Sequence, residues 1–201
     1  MRNLRNVIVI LLLAILVIGC SPKAETSDSK ESSDTSKTSE ESTSEDPLQS
    51  LMSKNAEVKE KWRNLPQEFQ KRVTVPQMNT IPFVVDAVDV FTLATGVLPP
   101  GVKTNFDIIL KSKNSFPRIH ITAFDVDGQK PLFGANAEKV KLESGVQGYY
   151  STEESETELS WVTVDEKIQY TVRYKPEKSG KAITEEKISK IANSMIKQIK
   201  Q

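Results

Sequence analysis

Leu159–Tyr174 reads LSWVTVDEKIQYTVRY. In its second half, Ile168, Tyr170, Val172 and Tyr174 alternate with Gln169, Thr171 and Arg173. Strict period two with one apolar and one polar side is the pattern of an antiparallel strand that packs on one face and meets water on the other. Leu159–Val164 precedes it closely enough for the two to form a hairpin turning at Asp165-Glu166. The fold is therefore read outward from a β-hairpin.

Two upstream segments repeat the pattern. Phe106, Ile108 and Leu110 alternate with Asn105, Asp107 and Lys111, and Ile119, Ile121 and Ala123 alternate with Arg118, His120 and Thr122. Phe83–Leu93 reads as a longer strand whose alternation slips, which suggests a bulge. Gly145, Gly148 and the Ser/Thr/Glu run 151–158 punctuate two short strands near 138–142 and 147–151. Helices are expected at both ends of this sheet. Leu48, Leu51, Met52, Val58 and Trp62 fit one helical face that ends before Leu65-Pro66. Near the C-terminus Thr184 is a good N-cap, with Glu185 and Glu186 in the first turn and Lys197 and Lys200 in the last, matching the helix dipole. Ile188, Ile191, Ala192, Met195 and Ile199 make the apolar stripe. The expectation is an α+β domain over residues 47–201: an antiparallel sheet of six to eight strands, a C-terminal helix packed across one face, and an N-terminal helix.

The N-terminus obeys other rules. Met1–Asn6 contains Arg2 and Arg5 and no acid, and Val7–Ile18 is an unbroken apolar run. That run is too short for a spanning helix, which needs about 20 apolar residues, and its layout is that of a signal peptide over residues 1–19. It ends at Val17-Ile18-Gly19-Cys20, and Cys20 is the one cysteine of the chain. These four residues after such a leader resemble the lipobox of bacterial lipoproteins, with Val17 standing where leucine is usual. The resemblance implies cleavage before Cys20, a diacylglyceryl group on its sulfur, and attachment to the outer face of the bacterial cytoplasmic membrane. Two acyl chains anchor stably where one binds only reversibly, at about 10⁴ M⁻¹.

Between Cys20 and the domain, residues 21–46 are Ser, Thr, Lys, Glu and Asp apart from Pro22 and Ala24. A segment so poor in apolar side chains cannot offset its chain entropy by burial and is expected to be a disordered tether. As a flexible coil it reaches roughly 28 Å. Its three lysines stand against eight acids. That balance of −5, with the leader's two arginines, leaves 47–201 at +3 in a chain whose total is zero. A surface so mildly basic has no electrostatic footprint for nucleic acid. A single cysteine excludes an intrachain disulfide and any Cys-rich metal or redox centre.

A second resemblance covers most of the domain. LSWVTVDEKIQYTVRY, then ITEEKISKIANSMIKQI, together with VTVPQMNTIPF upstream, resemble a domain of unknown function of Gram-positive lipoproteins and membrane-anchored anti-sigma-like proteins. In outline that domain is similar to the half-barrel lipoprotein-carrier-like fold and to the photosystem-P-protein-like sandwich. The resemblance supplies no catalytic residue.

No nucleophile–base pairing is readable. The sequence lacks G-x-S-x-G, Walker, H-E-x-x-H and G-x-G-x-x-G signatures. His120, the one histidine, is expected as a solvated residue of the polar sheet side. Asp125-Val126-Asp127-Gly128 fails the calcium-loop pattern, with Asn136 where the bidentate glutamate belongs, and reads as a turn. Glu153, Glu154, Glu156 and Glu158 read as a solvated acidic loop. The chain is therefore expected to be non-enzymatic, with no metal and no cofactor. The aromatics are the remaining lead. Phe106, Phe124, Tyr149, Trp161 and Tyr170 fill a core in the ordinary case, and would line an apolar pocket if the sheet curves away from its helix. Function is thus expected to be that of a lipid-anchored extracytoplasmic binding or interaction module, whose partner is an envelope protein or an apolar ligand. The alternative is a lipid or lipoprotein carrier-like protein with an internal apolar cavity.

Overall fold

A computed structural model describes residues 46–92, 102–126, 129–178 and 180–199. Val17, Ile18, Gly19 and Cys20, residues 21–45 of the tether, Leu93, the Asp127-Gly128 turn and Lys200 lie outside the described residues. Thr43–Gln201 separates from Met1–Ser42 as a unit of its own. It carries a continuous apolar core running from Leu48 to Ile196, which equips it to fold alone.

Seven strands form one sheet: β1 Ala87–Phe91, β2 Asn105–Lys111, β3 Arg118–Asp125, β4 Glu138–Lys141, β5 Gln147–Glu153, β6 Glu156–Val162 and β7 Ile168–Lys175. Their order is β1-β2-β3-β7-β6-β5-β4, and every neighbouring pair is antiparallel. With helices at both ends of the chain, this is an α+β fold.

Register explains how alternation becomes two faces. Val90, Ile108, Ile121, Val172 and Leu159 stand opposite one another in turn across five strands, and Phe106, Ala123, Tyr170 and Trp161 form the next such row. Directly opposed residues share a face, so these rows make the core side, and all of these side chains are buried. The opposite face carries Asp107, Thr122, Thr171 and Ser160 as one polar row.

The C-terminal helix, α4 (Glu185–Ile196), lies against β6 and β7 on the core side. Thr184 caps it, its Oγ1 accepting from the Lys187 N–H at 3.4 Å. Ile188, Ile191, Ala192 and Met195 are fully buried. The helix ends at Ile196, so Lys197 is its C-cap rather than part of its last turn.

The N-terminal apolar face is carried by two helices instead of one. α1 spans Pro47–Lys54 and α2 spans Ala56–Arg63. Asn55 breaks the run with extended backbone angles, φ −135 and ψ 108. It closes α1 through its own N–H to Leu51 O and opens α2 by accepting from the Glu57 and Val58 N–H groups. Its Nδ2 also donates to Val88 O at 3.3 Å, tying the break to β1. A short α3, Gln67–Gln70, follows.

The long strand expected from Phe83 is only Ala87–Phe91 within the described residues. The reason is its partner: β2 ends at Lys111, which pairs with Ala87, and one further bond joins the Asp86 N–H to Lys111 O. Beyond that the chain turns away at Ser112–Ser115, so Phe83–Val85 has no strand to pair with.

Strand order requires residues 126–137 to travel from β3 past β7, β6 and β5 to the far edge. This crossover runs over the polar face. Gln169 of β7 grips Leu132, its Oε1 accepting from the Leu132 N–H and its Nε2 donating to Leu132 O. Phe133 stacks on Tyr149 of β5 with ring centroids 3.8 Å apart.

Candidate functional site

A cavity of about 1100 Å³ opens at one end of the sheet, on its core side. Its walls come from segments far apart in the chain. α1 contributes Leu48, α2 contributes Trp62, and the stretch after α3 contributes Arg72, Val73 and Thr74. Opposite them stand Trp161 at the end of β6, the β6–β7 turn residues Thr163–Asp165, the strap around Ser144 and Val146, and Ile196, Gln198 and Ile199 at the end of α4. The volume is at the upper end of the usual range for small-molecule sites, roughly 300–1000 Å³.

Hydrogen bonds fix each wall. The Tyr170 hydroxyl donates to Arg72 O at 3.1 Å and accepts from the Thr74 N–H at 2.9 Å, pinning that stretch to the sheet. Burial without nearby cations holds the Tyr170 phenol protonated, pushing its pKa up to about 12. Gln198 Nε2 donates to Val75 O, and Ser194 Oγ accepts from the Gln77 N–H, so the same stretch is also laced to α4. On the other side Asn193 Oδ1 accepts from the Glu143 N–H and Lys197 pairs with Glu143 at 3.0 Å, which holds the strap. The strap makes its corner with two consecutive left-handed residues, Ser144 at φ 55 and Gly145 at φ 75. Arg72 and Asp165 approach to 3.5 Å and join two of the walls.

The charges of the lining are occupied. Asp46 caps α1 through the Leu48 N–H, Asp165 accepts from Thr163 Oγ1 and the Lys167 N–H besides meeting Arg72, and Lys71 pairs with Glu68. That exposed lysine lowers the Glu68 pKa by hydrogen bond and charge. Trp161 is the exception. It is fully buried, and its Nε1 is the single buried side-chain nitrogen or oxygen among the described residues with no hydrogen-bond partner. An indole N–H is a donor only, and leaving such a group unpaired costs about 1–3 kcal/mol.

The five aromatics singled out from the sequence are divided by the fold. Trp161 lines this cavity. Tyr170 lies behind it, stacked on Trp161, and Phe106 is in the core, edge-on to Trp62. Phe124 and Tyr149 belong to the opposite face, since Phe124 pairs with Gln169 and Tyr149 with Ser160. Tyr149 and Phe133 line a second cavity of about 470 Å³, which shares Ser144, Val146, Thr163 and Val164 with the first. Sequence reasoning missed Trp62, Val73 and the strap as walls. The available signal was negative: 64–86 has three prolines and no sustained period, a long irregular stretch of the kind that carries function in a small domain.

His120 does face the polar side, but it is not simply solvated. Its Nε2 is 2.8 Å from Asp107 Oδ1, which also accepts from Thr122 Oγ1, while Asn105 Nδ2 donates to Asp107 Oδ2. The acidic loop is likewise partly engaged: Glu156 pairs with Lys175 and Glu158 with Arg173. Among the described residues no cluster of three or more His, Cys, Asp or Glu could hold a metal ion, and no helix is long and apolar enough to cross a membrane. No protein-family model, curated protein or solved structure matches this chain.

Proposed function

We propose that this chain is a lipid-anchored binding module on the outer face of a bacterial cytoplasmic membrane, and that its cavity takes an apolar or amphiphilic ligand. Membrane attachment rests on the sequence, through the leader and the Val17–Cys20 box. Ligand binding rests on one observation: the cavity of about 1100 Å³ walled by Trp62 and Trp161, with the buried Trp161 N–H unpaired. Of the two readings open from the sequence, this favours the carrier-like one with an internal cavity over docking on a flat surface.

The test is native extraction of the full chain from membranes, followed by mass spectrometry of whatever small molecule leaves with it. A near-stoichiometric apolar molecule is expected from the wild type and is lost from Val164→Trp, which narrows the cavity at an exposed wall position. Wild-type protein that carries nothing and binds no added apolar probe would overturn the reading.

A further inference from the structure

Taking the cavity as a ligand site, we infer that its ligand is an acyl lipid whose uncharged ester carbonyl oxygen accepts the Trp161 indole N–H. The inference rests on the proposed function and narrows it to a ligand class.

Three observations carry it. The first is the orphan donor. A buried N–H on a cavity wall is satisfied by an oxygen acceptor and by nothing that a plain hydrocarbon offers. The second is the wall on either side of that donor. Leu48, Trp62, Val73, Val146 and Ile196 give an apolar path for a chain, so the acceptor must belong to a molecule that is otherwise greasy. The third is charge. Lys71 and Arg72 balance Asp46 and Asp165 on the lining, and each already has a partner, so no free cation waits for a carboxylate or phosphate. Burying an anion there without a counter-charge would be strongly unfavourable. An ester carbonyl accepts a hydrogen bond with no charge to desolvate. Replacing an unpaired donor by a paired one is also the interaction that discriminates between otherwise similar ligands most sharply, because the alternative leaves the site's polar group unsatisfied.

The experiment uses the Thr43–Gln201 unit and three probes: monooleoylglycerol for the uncharged ester, oleate for the carboxylate, and diphenylhexatriene for a hydrocarbon without an acceptor. Wild type is expected to prefer the ester over both others. In Trp161→Phe, which keeps an aromatic ring and deletes the N–H, the ester-to-hydrocarbon affinity ratio is expected to fall about tenfold, equal to about 1.4 kcal/mol. An unchanged ratio in folded Trp161→Phe, or tighter wild-type binding of oleate than of the ester, overturns this inference and leaves the cavity reading standing. Failure of wild type to bind any of the three overturns both. Should Trp161→Phe not fold, the indole N–H resonance of Trp161 in wild type serves instead. It is expected to move downfield with the ester and not with the hydrocarbon, and equal responses to the two overturn the inference.

Discussion

Trp161 and Tyr170 stack across β6 and β7 with ring centroids 5.0 Å apart and planes 17° from parallel, yet their polar atoms differ in kind: the Tyr170 hydroxyl makes two hydrogen bonds and the Trp161 N–H makes none. The two side chains mark a boundary. Behind Tyr170 the interior is close-packed under α4, and at Trp161 it gives way to the cavity.

That boundary is expected to show in core truncations. Ile191 sits at zero exposure beneath the sheet, whereas Ile196, on the same helix, helps wall the cavity. Ile191→Ala should cost about 2–5 kcal/mol, the usual range for emptying a packed site. Ile196→Ala should fall at or below the bottom of that range, because part of its surroundings is already empty. Urea melts of the two variants decide the matter, and equal losses would mean that the helix end is packed as tightly as its middle.

Tyr170→Phe removes the phenol that holds Arg72 and Thr74. The cost at neutral pH should be about 1–3 kcal/mol, since a backbone N–H is left without its acceptor. The same group predicts a pH dependence. Its folded pKa of about 12 lies above the ordinary 10, so the native state holds the proton more tightly than the unfolded chain. Its contribution is therefore complete below pH 10 and is lost as the pH rises from 10 towards 12. Stability of Tyr170→Phe should fall less steeply than that of wild type across this window. Parallel curves would show that the phenol is not the titrating group.

Gly148 faces Trp161 across the β5–β6 ladder. A Cβ there would lie 2.9 Å from both Leu142 Cδ1 and Val140 Cγ2. Gly148→Ala is thus expected to cost about 1–3 kcal/mol by overpacking, and to perturb the Trp161 fluorescence. A melt matching wild type would show that Val140 and Leu142 yield without strain.

Cys20→Ala should block lipidation and leader removal, as the Val17–Cys20 box implies. The mature wild-type chain should begin at an acylated Cys20 by mass spectrometry. A free thiol, or a leader still attached, would argue against membrane anchoring.

What could be read in advance follows physical lines. β2, β3, β6 and β7 were legible because each buries one face, so its side chains must alternate. The α4 stripe was legible for the corresponding reason, with Thr184 marking its start. The break at Asn55 was not, because an asparagine that caps two helices at once interrupts no apolar period: Leu51 and Val58 keep their places on either side. The short β1 was hidden because strand length is decided by the partner, here by where β2 stops at Lys111. The cavity was least legible of all. Its walls come from stretches such as Arg72–Thr74 and Ser144–Val146, whose positions are set by tertiary hydrogen bonds to Tyr170 and Asn193 rather than by any local repeat. Trp161 could be named as a candidate, but that its N–H lacks a partner is a property of the assembled fold.

The central pairing of the sheet also sets an order of events. β3 joins β7, with Asp125 opposite Ile168 and Arg118 opposite Lys175, and β4, β5 and β6 all intervene in the chain. A polypeptide delivered N-terminus first therefore presents β1–β3 with β3 as a bare edge until the last strand arrives. α4, which covers β6 and β7, comes later still. Pairing between such distant segments closes large loops and is slow. During that interval the unfinished sheet is open to helper proteins and to sticking with its neighbours.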